Sequence, residues 1–171
     1  MKKKPVDINE YAGVITKELE RGVFLTTKNG EKINSMVIGW GHIGRIWGLP
    51  VFVAYVRKNR YTSRMLDENP EFTVNVPVNG FSKKAFEICG TKSGANTDKI
   101  GESGLTPVAP DAVSVPAIRE LPLTLECRVI YREELTESRL PEGIRRRFYT
   151  DENNDHISYY GQIVSAYLIE E

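Results

Sequence analysis

Two long runs in which apolar and polar residues alternate constrain this chain more than any other feature. Residues 123–131 read LTLECRVIY and residues 157–169 read ISYYGQIVSAYLI. Successive side chains of a strand point to opposite faces, so a sustained period of two fits a strand with one face on a core. Gly161 is placed for a bulge in the second run. Residues 72–76 (FTVNV) alternate in the same way, and 49–56 (LPVFVAYV) is a nearly unbroken apolar run suited to a strand covered on both sides. VFLTTKNGEKINSMVI, residues 23–38, reads as a hairpin turning at Asn29–Gly30, a dipeptide that tolerates positive φ. Helical spacing is confined to short pieces. Tyr11, Val14, Ile15 and Leu19 mark one over 10–21. A second follows Thr62 and stops at Asn69–Pro70, and SKKAFEICG gives a third with Ser82 as N-cap and Gly90 past its end. The strands lack the regular helix alternation of a parallel sheet. The expected architecture is therefore mainly β: an antiparallel barrel, closed or partly closed, with a few short peripheral helices. Residues 91–120, rich in glycine and proline, and the highly charged 136–156 read as long connections.

Composition narrows the function classes. A chain of 171 residues suits one domain, 1–171, able to bury a core without disulfides or metals. Lysine plus arginine equal aspartate plus glutamate at 23 each, so no overall field points to nucleic acid or membrane. Cys89 and Cys127 form no CxxC, and the two histidines lie far apart, which argues against a zinc site. With no apolar signal core and no long apolar run, the expected location is the cytoplasm.

Two stretches do not read as plain structure. INSMVIGWG (33–41) places an amide, a hydroxyl and a glycine-flanked indole in an otherwise buried-looking strand. Either the backbone bends sharply there or something other than protein packs against it. In RKNRYTSRML (57–66) three cations precede Thr62, which is placed to cap a helix beginning at Ser63. A helix N-terminus, hydroxyls and the Arg60 fork together suit one phosphate. The same residues also suit a solvated basic loop.

Taken with further motifs in order, these stretches resemble the flavin reductase-like, FMN-binding split-barrel family, which includes flavoredoxins and FMN reductases. Asn34–Ser35–Met36 followed by Trp40 is similar to its N-x-M-x-x-x-W segment, and Pro50 with Arg60–Tyr61–Thr62 to its P…R-Y-T spacing. Phe72–Asn75 resembles its F-x-V-N strand, while Cys89–Gly90, Ser93–Gly94 and Asp98–Lys99 resemble its G-x-x-S-G-x-x-x-D-K connection. Leu125–Glu126–Cys127 and His156, Gly161 and Val164 resemble its closing elements. The resemblance runs from about residue 22 onward.

The resemblance implies a homodimer of Greek-key split barrels with FMN near the dimer interface. It places Asn34, Ser35 and Met36 at the flavin, their backbone N–H groups and the Asn34 amide aimed at ring heteroatoms, with Trp40 flanking the ring or its tail. Arg60, Thr62 and Ser63 are the expected phosphate contacts, and Lys99 a contact to the flavin or its phosphate. His156 is the candidate for positioning a nicotinamide or donating to a flavin oxygen; His42 could line the same pocket. A core role for Trp40 and a surface role for Lys99 are the competing readings. Ala95–Asn96 stand where the family carries an arginine and an aspartate, which bears on the choice between NADH and NADPH. Three functions follow: an NAD(P)H-dependent flavin reductase, a flavoredoxin-like electron carrier with a redox partner protein, or a non-catalytic FMN-binding barrel. The charged stretch 137–155 could cover the site, form a partner surface or be a solvated insertion.

Overall fold

The computed structural model of the protein describes residues 1–78, 80–150 and 154–170; residues 151–153 of the charged stretch lie outside them. In chain order the elements are β1 (Lys2–Pro5), α1 (Ile8–Leu19), β2 (Val23–Asn29), β3 (Lys32–Ile38), β4 (Gly41–Ile46), β5 (Leu49–Arg57), α2 (Tyr61–Glu68) and β6 (Glu71–Val76). Then follow α3 (Lys83–Thr91), α4 (Lys99–Ser103), β7 (Pro107–Val108), β8 (Ala117–Ile118), β9 (Leu123–Glu134), α5 (Glu142–Phe148) and β10 (His156–Glu170). No helix among the described residues is long and apolar enough to cross a membrane.

The main sheet is antiparallel throughout, with strand order β3-β2-β6-β9-β10-β5-β4 and β1 added beside β10. Strands β6, β9 and β10 are consecutive neighbours, and β5, joined to β6 through α2, lies on the far side of β10. That is a Greek key. The ends of the order decide the shape. β3 and β4 are outermost, yet only Gly39 and Trp40 separate Ile38 from Gly41. Three Cα steps span at most about 11 Å, whereas the edges of a flat seven-stranded sheet would lie roughly 29 Å apart. The sheet therefore coils until its edges meet, and no ladder joins β3 to β4. The barrel is split at that seam, and α2 packs across it against β2, β3 and β5.

Side-chain fit sustains the coil. Phe52, Phe72, Leu25, Leu125 and Tyr159 are buried in the barrel core, and a second cluster of Phe24, Ile118 and Leu121 lies under α3. The expected bulge is present: the β9–β10 register shifts between Tyr160 and Gly161, and again between Ile163 and Ser165. A Cβ at Gly161 would overlap the Phe72 ring and stand 2.8 Å from Cys127 Cβ, so this position has no room for a side chain. Gly41 is similarly tight, 2.9 Å from both the Phe52 ring and the Val53 carbonyl.

Several local expectations shift. The first hairpin turns at Gly30–Glu31, since the register pairs Asn29 with Lys32; Gly30 takes the positive φ of 54°. Helix α1 starts at Ile8 because Asp7 caps it, accepting from the Asn9 amide at 2.9 Å. Ser82 caps α3 as expected, but the helix runs through Gly90 to Thr91, whose hydroxyl donates to the Glu87 carbonyl at 2.7 Å. Two motif residues are clasps for the 91–120 connection. Asn75 accepts from the Ile118 amide at 3.1 Å, and buried Glu126 accepts from the amides of Asp111 and Ala112 and from the Tyr167 hydroxyl at 2.7 Å.

Candidate functional site

Two adjoining pockets open along the split seam and share Met36, Val37 and Arg60. The first lies between β3, the start of α2 and the α3–α4 connection, and is lined by Asn34, Thr62, Cys89, Lys92, Gly94 and Lys99 among others. The second lies at the Gly39–Trp40 corner and is lined by Trp40, Tyr55, Arg57 and His156. As the last strand on its side of the sheet, β3 also leaves alternate backbone groups unpaired along this seam.

The first pocket is built for an anion. Among the described residues its walls carry Arg60, Lys92 and Lys99 and no carboxylate. Lys92 is already held by Glu102 at 2.6 Å. Lys99 is 3% exposed, and among the described residues no carboxylate lies within ion-pair distance of it. Burial, opposed by Cys89 and reinforced by Arg60, lowers its pKa from 10.5 to about 8. Helix α2 starts at Tyr61, two residues earlier than expected, with Arg60 as N-cap and no side-chain cap bond. Thr62 is therefore not the cap. It sits in the first turn, where its hydroxyl accepts from the Asn34 amide at 2.8 Å. An uncapped helix start leaves N–H groups for a ligand.

Not every expected residue faces the pockets. The Asn34 side chain lines the first one, but its Oδ1 is sealed and unpartnered beneath Gly94, where a Cβ would run into it. Its amide thus sets Thr62 and seats the Gly94 turn. Ser35 alternates to the other face of β3, where its Oγ accepts from the Thr26 hydroxyl at 3.1 Å. The Ser63 hydroxyl pairs with that of Tyr159 at 3.0 Å, inside the barrel. Neither lines a pocket. His42 pairs with Val53 in the β4–β5 ladder and tilts against Tyr55, and it lines neither pocket.

At the second pocket Trp40 is 39% exposed and stacks at a tilt on His156, with ring centroids 4.7 Å apart; its other edge meets Phe148 at 5.1 Å. His156 Nδ1 is 3.0 Å from the Tyr149 hydroxyl. Burial and the neighbouring Arg57 and Arg60 lower the His156 pKa from 6.5 to about 4, so the imidazole is neutral at ordinary pH. Arg57 donates to the carbonyls of Phe148 and Asn154 and lies over the Tyr149 ring. The end of the charged stretch is thereby fastened against the site, while α5 is solvated. Arg57 stands in the basic run that the sequence singles out, as one of the three cations before Thr62, whereas Tyr55 and Tyr149 carry no sequence signal that marks them. Tyr149 in particular sits in a charged stretch without periodicity.

The flavin reductase like domain profile matches residues 19–171. The chain belongs to the flavin reductase-like family. A protein of Archaeoglobus fulgidus, described as uncharacterized, is 32% identical over 120 residues, 70% of this chain and 67% of its own length. The solved flavoredoxin of Methanosarcina acetivorans is 29% identical, with a TM-score of 0.65 over 87% of this chain and 68% of that one. An NADH:FAD oxidoreductase of Streptomyces globisporus shares the fold at 17% identity, with a TM-score of 0.63 over 86% of this chain and 75% of its own. In this flavin reductase-like chain the mainly β, antiparallel split barrel expected from the sequence is the fold observed.

Proposed function

We propose that this protein binds FMN along the split seam and is an NAD(P)H-dependent flavin reductase, acting as a homodimer of one-domain subunits. The observation that carries the reading is the anion pocket: a buried lysine with no carboxylate partner among the described residues, Arg60 and an uncapped helix start converge on one place. Such groups hold a phosphate through charge-assisted hydrogen bonds. The adjoining pocket, with Met36, Trp40 and the neutral His156, offers apolar surface and a hydrogen bond to a flat ring.

When bound, the flavin supplies the hydride chemistry, so no acid, base or nucleophile of the chain is required. Arg60, Lys99 and Thr62 bind the phosphate end. Trp40 and Met36 exclude water from the ring end, and His156 orients the ring or a nicotinamide laid on it. A donor near the ring stabilises charge that builds up on reduction.

A second reading, a flavoredoxin-like electron carrier with a redox partner protein, is favoured by the 29% identical flavoredoxin and by Ala95–Asn96 in place of a charged pair. Anaerobic mixing with FMN and then NADH or NADPH separates the two, following the flavin band near about 450 nm, which bleaches on reduction. Rapid bleaching by one nucleotide supports the reductase, and tight FMN binding without bleaching supports the carrier. A protein that does not bind FMN sinks both. Size-exclusion chromatography checks the dimer.

A further inference from the structure

The Tyr149–His156 contact admits one arrangement of hydrogens that satisfies both groups. The phenol has one hydrogen to give, and the imidazole Nδ1 is its partner at 3.0 Å. Tyr149 is buried, and among the described residues its hydroxyl has no second partner. Were Nδ1 to carry the hydrogen, the phenol's own hydrogen would be left without an acceptor in a buried place. With the phenol donating, Nδ1 is the acceptor, and the hydrogen of the neutral ring must lie on Nε2.

That second nitrogen has no partner among the described residues, and it is not among their sealed, unpaired atoms. The His156 ring lines the pocket at the Gly39–Trp40 corner. The charged groups facing it are Arg57 from β5 and Arg60 from the start of α2, both cations, and Trp40 covers one ring face. Tyr149 is held from behind: Arg57 lies over its ring at 5.5 Å and bonds the Phe148 and Asn154 carbonyls on either side.

We propose that Tyr149 is a positioning residue whose hydroxyl locks His156 in the tautomer with hydrogen on Nε2, presenting a neutral donor to an acceptor atom of the bound ring. The identity of that acceptor as a flavin carbonyl or ring nitrogen rests on the function proposed above; the tautomer does not.

The test is nitrogen NMR of histidine-labelled, ligand-free protein at neutral pH, followed by FMN titration. Wild type shows His156 protonated on Nε2. Tyr149→Phe keeps the ring and its packing on Arg57 but loses this preference, and its FMN dissociation constant rises about two- to tenfold, the worth of one neutral hydrogen bond. Thr62→Ala serves as the control, weakening FMN while leaving the tautomer alone. Hydrogen on Nδ1 in wild type overturns the proposal, even if the variant does not fold. An unchanged tautomer in folded Tyr149→Phe overturns it too. A shifted tautomer with unchanged FMN affinity overturns the presentation to the flavin. If the tautomer behaves as stated but FMN binds neither protein, the flavin reading fails and the positioning role stands.

Discussion

Replacing Lys99 with methionine removes one buried charge while keeping a flexible stem of similar size. In the ligand-free protein the ammonium is 3% exposed and shares its pocket with Arg60. Its pKa falls from 10.5 to about 8, mainly through burial. At about 1.4 kcal/mol for each pH unit, holding the charged form there costs about 3 kcal/mol of stability. The penalty is fully present below pH 8, where folded and unfolded chains both carry the proton. Between pH 8 and 10.5 the folded chain sheds it while the unfolded chain keeps it, so wild type gains stability through that window. Ligand-free Lys99→Met should therefore be more stable than wild type at pH 7, by up to about 3 kcal/mol, with the gap closing toward pH 10.5. Urea unfolding followed by tryptophan fluorescence at pH 7 and pH 10 measures both values. The same variant should bind FMN about 10- to 150-fold more weakly, the loss of one charge-assisted hydrogen bond. A variant less stable than wild type, with a gap that ignores pH, would refute the reasoning. It would mean that the amine is hydrated or paired in the free protein and that its burial costs nothing.

Other substitutions test the surroundings. Gly94→Ala should destabilise by about 1–3 kcal/mol and weaken FMN binding, since its methyl group would displace the Asn34 amide that sets Thr62; thermal melts and an FMN titration read both. Gly161→Ala should cost about 3 kcal/mol or fail to fold, because the methyl would enter the Phe72 ring; a neutral effect in urea unfolding contradicts the packing described. Arg60→Ala with Thr62→Ala should leave a folded protein with strongly reduced FMN affinity, and unchanged affinity removes the phosphate assignment. His156, with its pKa lowered from 6.5 to about 4, contributes stability that is complete above pH 6.5 and is lost as pH falls toward 4. His156→Gln should flatten that part of the stability–pH curve relative to wild type.

Much of the barrel is readable in the chain because the alternating runs over 123–131 and 157–169 and the apolar run over 49–56 all form long strands. The burial of the first run departs from its pattern, since Thr124 and Glu126 are buried under the 91–120 connection while Ile130 and Tyr131 are exposed. The strands that escape reading are β1, β4 and the two-residue β7 and β8, the last two inside the 91–120 stretch read as a connection; the longer pair, β1 and β4, shows why. KKKP and GHIGRI carry little apolar periodicity, and they become strands because β10 and β5 offer free ladders to pair with. The site is legible where residue type meets spacing: Asn34, Met36, Trp40, Arg60, Thr62, Lys99 and His156 all line the seam. Ser35 and Ser63 satisfy the motif but face away from the pockets, which strand alternation explains for Ser35 and the earlier start of α2 for Ser63. Tyr55 and Tyr149 reach the site through tertiary placement alone, whereas Arg57 belongs to the basic run already singled out in the sequence. The question raised by INSMVIGWG has both answers: the backbone turns a corner at Gly39–Trp40, and that corner forms one wall of a pocket.

The position of β10 between β5 and β9 bears on how the chain is made. β5 finds β4 at once, but its other edge waits while residues 58–155 are synthesised, and it carries the most continuous apolar run of the molecule. Such a strand with an open ladder is a template for the wrong partner. The seam cannot acquire His156 until β10 docks, so binding competence and protection of β5 arrive in the same late event. Flavin added during refolding would thus act on a species already past its most aggregation-prone stage, raising the yield of stable protein without speeding its formation.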